Sequence, residues 1–117
     1  MIKVAVPLFK DRVSPHFGAS PKVLLVMIEN GIIQSEATWD VGGNSPMEIA
    51  RRLVSLGIQY IICGGIHRTY KDWLIGNGIT VMENQRGIAM EVIKTLLKEL
   101  QGEGHHQKRA SSFIEKA

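Results

Sequence analysis

The chain predicts a single α/β domain, a mixed five-stranded sheet flanked by helices in the order β-β-β-α-β-α-β-α, on the strength of its hydrophobic patterning. An apolar, β-branched run occupies residues 2–8. Two strand-like runs meet at Asn30-Gly31, and from residue 45 onward helical and strand-like periodicities alternate. An antiparallel start followed by two right-handed parallel crossovers builds one sheet, with the hairpin on one side of the first strand and the later strands on the other.

Residues 2–8, IKVAVPL, alternate too little with polar residues for an edge strand and are predicted to be buried on both faces. Residues 9–20 read as loop. Residues 22–29 and 32–39 are strands joined at Asn30-Gly31, the dipeptide that favours the paired positive φ of a type I′ turn. A helix then starts with Ser45 as N-cap, Pro46 in the first turn and Glu48 completing a capping box. Met47, Ala50, Leu53 and Val54 repeat at helical spacing and turn inward, leaving Glu48, Arg51, Arg52 and Ser55 outward, and Gly57 ends the helix. Gln59–Cys63 is a buried strand, Gly64-Gly65 a break, and Arg68–Ile75 a short helix stopped at Gly76-Asn77-Gly78. Ile79–Met82 is the last strand. Ala89, Val92, Ile93, Leu96, Leu97 and Leu100 mark an amphipathic helix over about Arg86–Gln101. The domain therefore runs over 1–101, and 102–117 is expected to be a polar, flexible tail in which only Phe113 and Ile114 could dock.

Composition narrows the function classes. With 44% hydrophobic and 21% charged residues, the 117-residue chain has the make-up of a globular domain, large enough to bury a core without staples. The net charge of +3 is modest, and the basic residues are scattered among acids rather than gathered into a nucleic-acid stripe. No apolar run approaches the length of a membrane span, and Lys3 followed by a strand is not a secretory leader. The single cysteine, Cys63, excludes an internal disulfide and a four-thiolate cluster within one chain, and suits a reducing cytoplasm.

The predicted topology creates a switch point between strands 2–8 and 59–63, and open α/β sheets bind ligands at the carboxyl ends of such strands. The loop after the first carries Ser14-Pro15-His16-Phe17-Gly18, a stiff turn presenting an imidazole; the loop after the other carries Cys63, Gly64, Gly65 and His67. Two clusters distant in sequence are thus expected to converge. Thiolate with imidazole suits iron–sulfur species, copper(I) or zinc, although a lone cysteine at the end of a buried strand equally serves as a small hydrophobe. His67, at a helix start, is a ligand or a surface residue, and the His105-His106 pair reads as part of a solvated tail. Gly64-Gly65 either offers bare amides to an anionic metabolite or simply turns the chain, so a metal-free regulatory or protein-interaction module is the alternative. Walker, GxSxG and HExxH motifs are absent, and Asp11 and Asp40 are loop acids without identified partners, which leaves a hydrolase the weakest reading.

The segments IKVAVP, DRVSPHFGASPKVLLV, IICGGI and LIGNGITV together resemble the dinitrogenase iron-molybdenum cofactor biosynthesis family, which includes NifX, NafY, the NifB C-terminal domain and small stand-alone homologues. The resemblance covers about residues 1–100 and implies a ribonuclease H-like motif. It implies a non-catalytic carrier of an iron–sulfur or iron–molybdenum type cluster or precursor; because one cysteine cannot hold a cluster alone, binding is expected to be transient or shared across a dimer. It also implies cluster donor or acceptor proteins as partners, in a monomer or homodimer. His16, Phe17 and Gly18 match the family's HFG segment, and Cys63, Gly64 and Gly65 its CGG turn. Many members read CGGIG where this chain has His67, and several carry a histidine where it has Val41-Gly42-Gly43-Asn44. The metal ligands expected are His16 first, with Cys63 and His67 secondary.

Overall fold

The first strand, β1 (Ile2–Phe9), lies at the centre of the sheet, as its unbroken apolar run requires; Val4, Ala5, Val6 and Leu8 are all buried. In the computed structural model, which describes residues 1–102, β1 turns tightly into a two-residue strand, β2 (Arg12–Val13), with Leu8 opposite Val13 and Phe9 opposite Arg12. This sixth strand is a departure from the expected five. Two residues carry no periodicity, and the turn uses Lys10 at φ 60° instead of an Asn-Gly pair.

β3 (Lys22–Glu29) pairs antiparallel with β1 over seven positions from Ile2 opposite Ile28 to Leu8 opposite Lys22, and β4 (Ile32–Asp40) forms the outer strand of the hairpin. Asn30 and Gly31 take φ of 54° and 74°, the paired left-handed values the turn demands. Helix α1 (Pro46–Ser55) follows with both hydrogen bonds of its capping box made: the Glu48 N–H donates to Ser45 Oγ and the Ser45 N–H to Glu48 Oε1. β5 (Tyr60–Ile62) pairs parallel with β1, helix α2 (Arg68–Gly76) crosses over, and β6 (Thr80–Met82) pairs parallel with β5.

The main path of the sheet is β4-β3-β1-β5-β6, the order that the two crossovers predict, with β2 attached to β1. The last helix, α3 (Ala89–Gly102), starts later than the sequence suggests, because residues 87–88 are tied to β2: the Val13 N–H donates to the Gly87 carbonyl at 2.8 Å and Ile88 bridges Arg12. The readings made for residues 103–117, His105 and His106 among them, fall outside the described residues.

Alternation along the strands divides the core into two layers. Val4, Val6, Leu24, Val26, Ile62 and Met82 meet Ile93 and Leu96 of α3 on one face. Ala5, Val23, Ile61 and Val81 meet Ile49, Leu53 and Leu74 of α1 and α2 on the other. Phe17 and Cys63 belong to that second layer, so the loop after β1 is packed down on the α1/α2 face.

Candidate functional site

The loop 14–20 and the turn 63–65 are joined by backbone hydrogen bonds. The Gly64 N–H donates to the Ser14 carbonyl at 3.2 Å, the Gly65 N–H to the Pro15 carbonyl at 2.7 Å, and the Phe17 N–H returns to the Gly65 carbonyl at 2.8 Å, giving a parallel bridge between His16 and Gly65. Only glycine permits the approach at 64. A Cβ there would lie 2.5 Å from the Ser14 carbonyl oxygen and 2.8 Å from Pro15 Cα, both backbone atoms that cannot step aside. Two serines fix the loop from within: the buried Ser14 hydroxyl bonds the His16 backbone, and the Ser20 hydroxyl donates to the carbonyls of His16 at 2.9 Å and Phe17 at 3.2 Å. Ser14 belongs to the turn singled out in the sequence, but Ser20 does not, because a lone hydroxyl amid polar loop residues has no distinguishing pattern.

Against this frame opens a cavity of about 430 Å³, with His16, Phe17, Gly18, Pro46, Gly65, His67 and Tyr70 in its lining. The convergence expected at the switch point is therefore present for His16, Gly65 and His67. Pro46 and Tyr70 add walls that the sequence does not reveal: Pro46 carries only the signal of a helix start, and Tyr70 lies one helical turn beyond His67 on α2. Gly18 abuts Pro46, whose Cγ would sit 2.7 Å from a Cβ added at Gly18. The side chain of His16 is exposed, and its imidazole makes no hydrogen bond among the described residues. Its Nδ1 lies 3.7 Å from where a Gly65 Cβ would be, so the ring stands over the bare glycine backbone.

The other expected groups behave differently. Cys63 is 0% exposed, does not line the cavity, and its thiol is pushed up to about 12, first by burial and then by the Glu83 carboxylate, with the Lys71 ammonium opposing. His67 is the N-cap of α2, its Nδ1 accepting the Thr69 N–H at 3.1 Å. A neutral imidazole with an acceptor at Nδ1 carries its proton at Nε2, so His67 offers the cavity a hydrogen-bond donor instead of a lone pair. The Gly64 and Gly65 amides are spent on Ser14 and Pro15, which removes the donors an anion would need there. Asp11 and Asp40 do not line the cavity, and among the described residues no three His, Cys, Asp or Glu side chains form a metal-binding group. Among the same residues no helix is long and apolar enough to cross a membrane.

Residues 1–99 match the family model described as dinitrogenase iron-molybdenum cofactor. Over 71 residues the chain is 44% identical to an uncharacterized protein of Methanocaldococcus jannaschii, MJ0580; the match covers 56% of this chain and 60% of that protein, less than two thirds of its length. Among solved structures, PH0822 superposes with a TM-score of 0.78 at 25% identity, over 83% of this chain and 89% of that one. The apo form of the orange protein from Desulfovibrio gigas superposes with a TM-score of 0.71 at 19% identity, over 84% and 88% of the two chains, a likeness of fold alone.

Proposed function

The chain belongs to the dinitrogenase iron-molybdenum cofactor family, and on that premise we propose that it is a non-catalytic carrier of an iron–sulfur or iron–molybdenum type cluster or its precursor, held at His16. The observation that carries this reading is a free imidazole, fixed by the backbone pairing of His16 with Gly65, on the wall of a cavity of about 430 Å³. The donor set does not fit a resident cluster. With Cys63 buried and His67 committed through Nδ1 to the α2 cap, the cavity among the described residues supplies one nitrogen ligand. A cluster held so would keep its own sulfides or a partner's ligands at the remaining positions. One-point attachment suits cargo that must be handed on.

The remaining groups then act on the cargo without bonding its metals. His67 Nε2–H donates toward sulfide or another anionic ligand, Phe17 forms an apolar floor, and Gly65 keeps the backbone beside the His16 ring bare. Cluster donors and acceptors are the expected protein partners.

Anaerobic reconstitution with iron and sulfide, followed by visible absorption and iron quantitation, tests the reading. Wild type and Cys63→Ala should both acquire a chromophore, and His16→Ala should lose most of it. No chromophore in wild type, or an equal one in His16→Ala, would overturn the carrier proposal.

A further inference from the structure

A second cavity, of about 440 Å³, lies on the outer side of α1, between that helix and the edge strand β4, and the function proposed above makes no use of it. Trp39 of β4 faces Arg52 of α1, with the guanidinium 4.4 Å from the ring centroid. Arg51, Asn44, Glu48 and Ser55 complete the polar lining. A guanidinium held over an indole by cation–π attraction loses less freedom on binding a ligand than a free one, and its planar fork of N–H groups is suited to recognising two coplanar oxygens. Neither arginine is in an ion pair: the ion pairs among the described residues are Arg68 with Asp72 and Lys71 with Glu83.

The acid in the cavity offsets only part of this charge, since two guanidinium groups stand against one carboxylate and leave the lining net positive. Glu48 Oε1 accepts the Ser45 N–H in the capping box, and its carboxyl is held below the usual range by hydrogen bonds to the Ser45 backbone and side chain, with Arg51 contributing. The outward placement of Arg51, Arg52 and Ser55 was legible in the sequence as a solvated face; what the sequence could not show is that Trp39, twelve or more residues away on the hairpin, closes that face into a pocket.

We propose that this pocket binds a small oxyanion-bearing metabolite, a carboxylate or phosphoryl compound, through the Arg52 guanidinium over Trp39 and the Arg51 guanidinium. The volume suits a small molecule, since ligand pockets run from about 300 Å³ upward.

Tryptophan emission reads the site directly. The chain has two tryptophans, so a Trp73→Phe background leaves Trp39 as the only indole. Titration of that full-length protein with inorganic phosphate, and separately with malonate, at ionic strength held constant with potassium chloride, should give a saturable change in Trp39 emission with at least one of them. Saturation by phosphate alone assigns the phosphoryl source, and by malonate alone the carboxylate source. Arg52→Lys keeps the charge but loses the fork, and should weaken binding about tenfold, the effect of losing one charge-assisted hydrogen bond. Iron loading in Arg52→Lys should stay at the wild-type level, so failure here is distinct from failure of the carrier reading. No saturable change with either anion, or equal affinity in Arg52→Lys, overturns the proposal.

Discussion

Cys63 and His16 lie in loops that touch, yet their chemistry diverges because one points into the core and the other out of it. The thiol of Cys63 packs with Ala5, Ile61 and Leu74, where a thiolate would have to shed its hydration, and its ionisation is pushed from 9.0 to about 12. Linkage gives the sign. In the unfolded chain the thiol ionises near its ordinary value, whereas the folded protein keeps its proton. Stability from this group is thus complete below pH 9 and falls as pH rises toward 12, by about 1.4 kcal/mol per pH unit. Denaturation by urea at steps between pH 8 and 11 should therefore show wild type losing stability faster than Cys63→Ala, whose residue cannot ionise. Parallel curves for the two proteins would mean that the thiol is not buried as described.

Elements were legible wherever the signal was local. The capping box of α1 and the Asn30-Gly31 turn are each written in consecutive residues, and both formed as the sequence directs. Signals that depend on a distant partner were not legible. β2 exists because Arg12 and Val13 meet β1 and residues 87–88, and those same bonds delay α3 to Ala89. The site shows the same division. The meeting of His16 with Gly65 followed from strand order, but the tautomer of His67 depends on the Thr69 N–H, and the burial of Cys63 on what α2 lays over β5. α1 offers a direct test of a local signal. Ser45→Ala removes the side-chain acceptor for the Glu48 N–H and should cost about 1 kcal/mol in urea denaturation. A change near zero would show that tertiary packing of Ile49, Ala50 and Leu53 fixes the helix end without its cap.

The sheet separates two tasks across the whole molecule. Its α3 face holds a layer built on Ile93 and Leu96, while the cavity with His16 opens on the α1/α2 face above Phe17, which is 1% exposed and whose ring lies 6.5 Å from that of Tyr70. Substitutions in the two layers have no shared partner, so their effects on stability should add while their effects on cargo should differ. Ile93→Ala opens a void against β1, β5 and β6 and should cost about 2–5 kcal/mol, yet the folded fraction should still take up iron and sulfide as wild type does. Phe17→Ala should cost a similar amount, about 3–5 kcal/mol, and should also lower uptake by the folded fraction, because the floor under the His16 loop is gone. Phe17→Leu keeps most of the volume and separates loss of floor from loss of fold. If Ile93→Ala removed uptake from protein that remains folded, the sheet would not insulate the cavity from the opposite layer. If Phe17→Ala left it intact, the loop would be held by its backbone bonds to Gly64 and Gly65 and by the Ser14 and Ser20 hydroxyls alone.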